Sequence, residues 1–244
     1  MPRDTDPITS SVWVRPSRAR RGEQPTLSRE QIVRAAIELL DAEGLSGLSM
    51  RRLGAKLGAG ATSVYWYVAN KDELLELALD EAMGQVELPD PAVADWRSAV
   101  GDVVRSVRTV ILRHTWMAGL YGIHPAIGPQ AMRLSDRLIG VLTAAGFANL
   151  DMAYASSLLM SHAFGSAVMD VAMHTATALA GKDANDLVRQ LEPYMDRIAG
   201  EYPHYAKWWA QNKGADMERM REDGFEFGLQ RLLDGLESWL RSDA

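Results

Sequence analysis

The sequence predicts an all-α protein with a small N-terminal helical domain and a larger helical domain after it. Three observations carry this reading. Apolar residues recur at i, i+3 and i+4 in one segment after another, caps and stops punctuate those segments, and no alternating strand pattern outlasts a few residues. The chain has 244 residues, 47% hydrophobic and 24% charged, which is ample for one large or two small domains. It contains no cysteine, so disulfides, thiolate metal sites and a cysteine nucleophile are excluded.

The elements follow in order. Residues 1–25 are polar and rich in Arg, Pro and Ser, with no periodicity, and read as a disordered basic arm. They hold no apolar run of signal-peptide length, and a cysteine-free chain suits a reducing compartment, so a cytoplasmic protein is expected. Ser28 and Gln31 form a capping-box pair ahead of Ile32, Ala35, Ala36, Leu39 and Leu40, with Gly44 as the stop. Ser49 caps a second helix carrying Leu53 and Leu57 and ended by Gly58. A short helix over 61–68 follows. Asn70 and Glu73 then open a helix burying Leu74, Leu75, Ala78, Leu79, Ala82 and Met83.

Pro89 and Pro91 mark a break. Beyond it, Asp95-Trp96 opens a long amphipathic helix through Val100, Val103, Val104, Val107, Ile111 and Leu112. A Gly/Pro connector spans 121–129, and a helix bearing Leu134, Leu138, Val141 and Leu142 closes at Gly146. Further helices are expected over 151–178, 182–200 and 216–241. The stretch 152–169 is long enough for a membrane span, but four serines interrupt it, Asp151 and Asp170 bound it and basic anchors are missing; no membrane partner is expected.

Charge is unevenly spread. Residues 15–71 hold ten Lys/Arg against five Asp/Glu, while residues 72–244 hold fifteen against twenty-five. A basic N-terminal quarter on an acidic body points to a local anion-binding face. Within that quarter, residues 49–68 read as helix, glycine-containing turn and short second helix, the chemistry of a helix-turn-helix. The second helix offers Thr62, Ser63, Tyr65, Trp66 and Tyr67 where an ordinary core helix would be apolar. Trp66 reads equally well as core packing. Arg51, Arg52 and Lys71 stand at helix N-termini, where cations oppose the helix dipole unless phosphate lies alongside. Arg52 and Lys56 read as solvated charges.

The stretch 27–86 resembles the tetracycline-repressor (TetR) type of transcriptional regulator, above all in IVRAAIELLDAEGLSGLSMRRLGAKLG and in the run 64–68 followed by Asn70-Lys71-Asp72-Glu73-Leu74-Leu75. The second region is similar to the tetracycline-repressor subgroup through Asp95-Trp96, LRHTW at 112–116, Gly128-Pro129 and Ala145-Gly146-Phe147. The resemblance implies three parts: the arm 1–25, a three-helix DNA-binding domain at 26–86 with its helix-turn-helix at 49–68, and a ligand-binding and dimerisation domain at 90–244. It implies that Arg51 reaches a guanine edge and that Ala61 and Thr62 lie nearest the bases. It also implies that Ser49, Ser63, Tyr67 and Lys71 meet phosphate, while Tyr65 packs against a base methyl. Ala61 cannot hydrogen-bond a base edge, so the operator is not transferable from the family. The basic arm could also enter a minor groove.

For the second domain the resemblance implies a homodimer and a small-molecule effector. Trp116, Met117, Tyr121, His124, Met132, Met160 and Phe164 are the candidate ligand-lining residues, with Met173 and Met169 further along; thioethers adapt to irregular ligands. Tyr121 stands where the family's magnesium-ligating imidazole would be, and Glu87, Val103 and Val107 replace other drug-contacting groups. Tetracycline is therefore not expected, and neither is a metal or other cofactor. The ligand is expected to be mainly apolar. An enzymatic alternative rests on Asp170 and His174, four apart on one helix face, but no third ligand and no nucleotide or nucleophile motif accompanies them. The resulting expectation is a non-enzymatic repressor released from double-stranded DNA by a small ligand.

Overall fold

The computed structural model describes residues 11–14, 27–90, 95–120 and 122–242. Ten α-helices and one 3-10 turn account for the described secondary structure: α1 (Arg29–Gly47), α2 (Met50–Lys56), α3 (Ala61–Tyr65), α4 (Lys71–Met83), α5 (Trp96–Arg113), the 3-10 turn Thr115–Gly119, α6 (Pro129–Ala145), α7 (Asn149–Ala180), α8 (Ala184–Ile198), α9 (Pro203–Asn212) and α10 (Met217–Ser242). The all-α expectation holds. Two compact units are formed, Met1–Phe164 and Gly165–Ala244, so α7 belongs to both.

The start of the first unit follows its caps. Ser28 accepts from the Gln31 N–H while the Gln31 side chain accepts from the Ser28 N–H, closing the box that opens α1. Gly44, at φ 68°, breaks the helix, and one more turn runs to Gly47. Ser49 caps α2 through the Arg52 N–H. Asn70 caps α4 through the Glu73 N–H, and the Glu73 carboxylate accepts instead from Ala69, one residue further back than the expected box. The core of this part is Ile32, Ala36 and Leu40 from α1, Leu53 from α2, Val64 and Val68 around α3, and Leu74 and Ala78 from α4, all almost fully buried. Each buried Ile, Leu or Val side chain among these stabilises the fold by about 1.5–3 kcal/mol. The short third helix ends at Tyr65, earlier than expected, and Tyr67–Val68 close it by a turn onto the Val64 carbonyl.

Helix α4 departs from its expected pattern. Leu79 is only half-buried, whereas Leu77, Glu73, Glu76 and Asp80 are buried, so nearly every face of the helix is covered. Each carboxylate meets a different segment. Glu73 pairs with Arg29 of α1 at 3.0 Å. Glu76 accepts from Ser11 and Val12, and Asp80 accepts from the Gln130 and Ala131 N–H groups at 3.0 Å, capping α6 from outside. Ser11–Val14 thus sit on α4, an ordering that the composition of the arm does not reveal; the rest of the arm, 1–10 and 15–25, lies outside the described residues.

Behind α4, the α5 face made of Val100, Val103, Val104, Val107 and Ile111 is buried against its neighbours, and α6 ends at Gly146 with φ 106° as expected. The 3-10 turn was not foreseen. It packs on α1, and one oxygen of Asp41 lies 2.7 Å from both His114 Nδ1 and Trp116 Nε1. A carboxylate only accepts, so the imidazole carries its proton on Nδ1.

In the second unit, Phe225, Leu229 and Leu233 of α10, Met195 of α8 and Trp209 of α9 are buried. Asn185 ties α8 to the start of α10 by accepting from Met217 and donating to Asp216. The Arg219 N–H and then Asn185 hold the Asp216 carboxyl below its ordinary range. Helix α9 was missed in the sequence, although Pro203 at its first turn was a usable signal. Helix α7, apolar on every side in sequence, buries one narrow seam of Ala155, Leu159, Ala163, Ala167 and Asp170. No described helix is long and apolar enough to cross a membrane.

The Asp80 clamp makes a test. A Cβ on Gly128 would lie 2.3 Å from the Asp80 carboxylate. Gly128→Ala should push that carboxylate off the α6 N-terminus and lower unfolding free energy by about 1–3 kcal/mol, as Asp80→Ala should. Urea denaturation of both variants checks this; parental stability in Gly128→Ala would mean that the clamp contributes nothing.

Candidate nucleic-acid interface

The α2–turn–α3 geometry rests on a backbone approach that only glycine permits. The Ala59 N–H donates to the Gly54 carbonyl at 2.8 Å, and a Cβ on Gly54 would lie 2.9 Å from the Ala59 carbonyl oxygen and 3.0 Å from Ala61 N. Gly58, at φ +65°, turns the chain, and Gly60 stands at the N-cap of α3. These glycines bring the start of α3 close against α2.

The exposed surface so made carries the residues singled out in sequence. Arg51 and Thr62 are exposed, Tyr65 is 48% exposed, and Ser49, Ala61, Ser63, Tyr67 and Lys71 are half-buried. Val64 and Val68 point the opposite way into the core. Trp66 is 78% exposed, so the core-packing alternative for it is wrong: the short helix has one buried stripe, and Val64 and Val68 fill it.

The cations divide into two kinds. Arg52 is gripped by the Glu43 carboxylate and donates to the Gly47 carbonyl at 3.0 Å. Its hydrogen bond holds the Glu43 carboxyl below the usual range, and Glu43 in turn raises the Arg52 guanidinium. Lys56 pairs with Glu38 at 2.8 Å. Neither is simply a solvated charge; both brace α2 on α1. Arg51 meets no carboxylate among the described residues and stays available to an anion. Lys71 donates to the Leu45 carbonyl at 2.9 Å, one use of three N–H groups, and so satisfies a carbonyl in the last turn of α1.

The ligand-lining candidates are more scattered. Trp116 and Met117 are buried in the 3-10 turn, with the indole N–H already engaged by Asp41. His124 sits in the connector with its Nδ1 3.9 Å from Glu76. Met132 is 54% exposed on α6, and Met160 and Phe164 are half-buried on α7. Tyr121 lies outside the described residues. Gly119 is exposed, and a Cβ there would press on Leu45 of α1 at 2.9 Å. Sequence reasoning missed Asp41, His114, Glu76 and Asp80. For the last two the signal was present, since positions 73, 76 and 80 share one helix face.

The Asp170/His174 alternative loses its geometry. Asp170 is bound to Arg221 of α10 at 3.2 Å, while His174 is exposed. No group of three or more metal-ligating side chains occurs among the described residues.

Comparison with known proteins agrees with this picture. Residues 32–78 match bacterial regulatory proteins of the tetR family, and residues 88–240 match the tetracyclin repressor-like C-terminal domain. The HTH-type transcriptional repressor DrrR1 of Streptomyces coeruleorubidus is 34% identical, over 93% of this chain and 83% of its own. An HTH-type transcriptional regulator of Saccharopolyspora erythraea is 37% identical, over 93% and 91%. Among solved structures, apo ActR of Streptomyces coelicolor superposes with a TM-score of 0.72 at 30% identity, covering 89% of this chain and 99% of ActR. ActR bound to actinorhodin gives 0.71 at 31%, covering 86% and 98%.

The turn itself supplies the test. Gly54→Ala should displace α3 relative to α2 and weaken binding to a selected DNA duplex at least about tenfold, equivalent to 1.4 kcal/mol. Circular dichroism should show helicity retained. Full binding by that variant would remove the α2–α3 approach from any role in recognition.

Proposed function

The chain belongs to the tetR family of bacterial regulatory proteins, and from that premise we propose a homodimeric repressor that holds a near-palindromic operator and releases it on binding a small, mainly apolar ligand. The observation that carries the reading is that Arg51 of α2 and Thr62, Tyr65 and Trp66 at α3 are exposed while Val64 and Val68 fill the core. Arg51 is the guanine-reading group, because its unpaired guanidinium fork matches O6 and N7. Ala61 and Thr62 lie nearest the bases, Tyr65 packs on a base methyl, and Ser49, Ser63, Tyr67 and Lys71 hold phosphate. The regions proposed are the arm 1–25, a DNA-binding domain at 26–86 and an effector and dimer domain at 90–244. A repressor works on the chromosome, which makes the cytoplasm its place of action, and it turns over no substrate.

Self-association is supported by apolar side chains that the single chain leaves uncovered. On α7, Leu150, Tyr154 and Leu158 form an i, i+4, i+8 stripe 45–64% exposed, and on α10 Phe227 is 66% exposed. Large exposed apolar surfaces on long helices are covered by a second copy in two-fold interfaces. Leu233 is 2% exposed inside its own unit and belongs to the core. The complexes of ActR with actinorhodin and with (S)-DNPA support a ligand-responsive reading. Met117, Met160, Phe164, Trp116, Tyr121, His124 and Met132 are the proposed lining, and an apolar compound with one or two hydrogen-bonding groups suits them.

Two experiments test this. A duplex selected from a random pool should bind with steep salt dependence. Lys71→Ala should weaken all sequences alike, and Arg51→Ala should also relax preference at one base pair, by about 1–3 kcal/mol per half-site. Parental binding by both variants would overturn the interface. In sedimentation, Leu158→Asp with Phe227→Asp should yield monomer from a parental dimer, since an unpaired buried charge costs several kcal/mol; a persistent dimer would put the interface elsewhere.

A further inference from the structure

Glu76 is a junction that neither the fold class nor the regulator reading requires. Its carboxylate is 6% exposed, in the middle of α4. Oε2 accepts from the fully buried Ser11 hydroxyl at 2.6 Å and from the Val12 N–H at 3.1 Å. Ser11 in turn accepts from the Trp13 N–H on its hydroxyl at 3.3 Å and from the Val14 N–H on its carbonyl at 3.2 Å, which folds 11–14 into a turn. Oε1 faces His124 Nδ1 at 3.9 Å, inside ion-pair reach and about 1 Å beyond a hydrogen bond. His124 belongs to the connector between the 3-10 turn and α6, whose other end is fixed by Asp80.

We propose that Ser11–Val14 is a strap that fastens α4 to the 122–128 connector through Glu76. The two partners sit at different oxygens of one buried carboxylate, so both depend on a single Glu76 rotamer and each favours the geometry that the other needs. The strap's two donors fix the rotamer that turns Oε1 toward His124, and an imidazole held beside Oε1 favours that same rotamer. Removing the strap leaves a buried carboxylate short of its two donors, and removing His124 lets Oε1 turn away from the rotamer that the strap uses. Coupling of this kind is reciprocal: whatever displaces the connector loosens the strap, and whatever lifts the strap frees the connector. Since α4 begins beside the recognition turn, the strap adds a fastening at the place where movement of the connector would be transmitted to the DNA-binding helices.

Amide hydrogen exchange on the full chain tests this without DNA or ligand, so its failure leaves the regulator reading untouched. In Ser11→Ala, and in a variant lacking residues 2–14, exchange in 122–128 should quicken threefold or more while circular dichroism shows parental helicity. In His124→Ala, exchange at Val12–Val14 should quicken by a similar factor. Glu76→Gln keeps an acceptor for the strap but removes the charge, and in that background His124→Ala should no longer alter strap exchange. Loss of strap protection with connector exchange unchanged or slowed, or a His124 effect that persists with Glu76→Gln, overturns the proposal.

Discussion

Three buried carboxylates on α4 set the arrangement of the first unit. A carboxylate withdrawn from water needs specific donors, and unlike a leucine it cannot accept any neighbour of suitable volume. Glu73 takes Arg29, Glu76 takes Ser11 and Val12, and Asp80 takes two backbone N–H groups at the start of α6. The helix therefore specifies which segments surround it and at what register. Apolar packing through Leu74, Leu75 and Ala78 supplies the burial, while the acids supply the uniqueness.

The same logic operates at the junction of α1 with the 3-10 turn. Asp41 gathers the His114 and Trp116 N–H groups on one oxygen, so the segment after α5 is fixed by polar geometry as well as by the burial of Trp116 and Met117. A helix-turn-helix head held only by apolar contact could slide against its support. One held at Asp41, Glu73, Glu76 and Asp80 moves only by breaking defined bonds, which is what a switch between discrete arrangements demands.

Around the DNA-facing surface, charge is used for two purposes. Arg52 and Lys56 are consumed in bracing α2 against Glu43 and Glu38, both on α1. Arg51 is exposed and free of any described carboxylate. Adjacent arginines in the sequence thus have different roles, because successive helical positions point about 100° apart and only one of them faces Glu43.

Much of the molecule was legible in the sequence. The caps at Ser28, Ser49 and Asn70, the stops at Gly44, Gly58 and Gly146, and the α5 valine stripe are local signals, decided by residues within one or two turns of each other. The exposed face of α3 was legible for the same reason, through its polar and aromatic content. Tertiary structure decided the rest. Whether Trp66 packs or protrudes depends on which two residues fill the α3 stripe, and Val64 and Val68 do. Whether an acid on α4 is solvated or buried depends on segments 44, 65 and 50 residues away in the chain. Asp170 reads as a partner for His174 at four residues' spacing, but Arg221, brought in by α10, takes it. Periodicity records which side of a helix is covered; it holds no record of what covers it, because long-range partners are chosen by the packed fold and leave no local spacing behind.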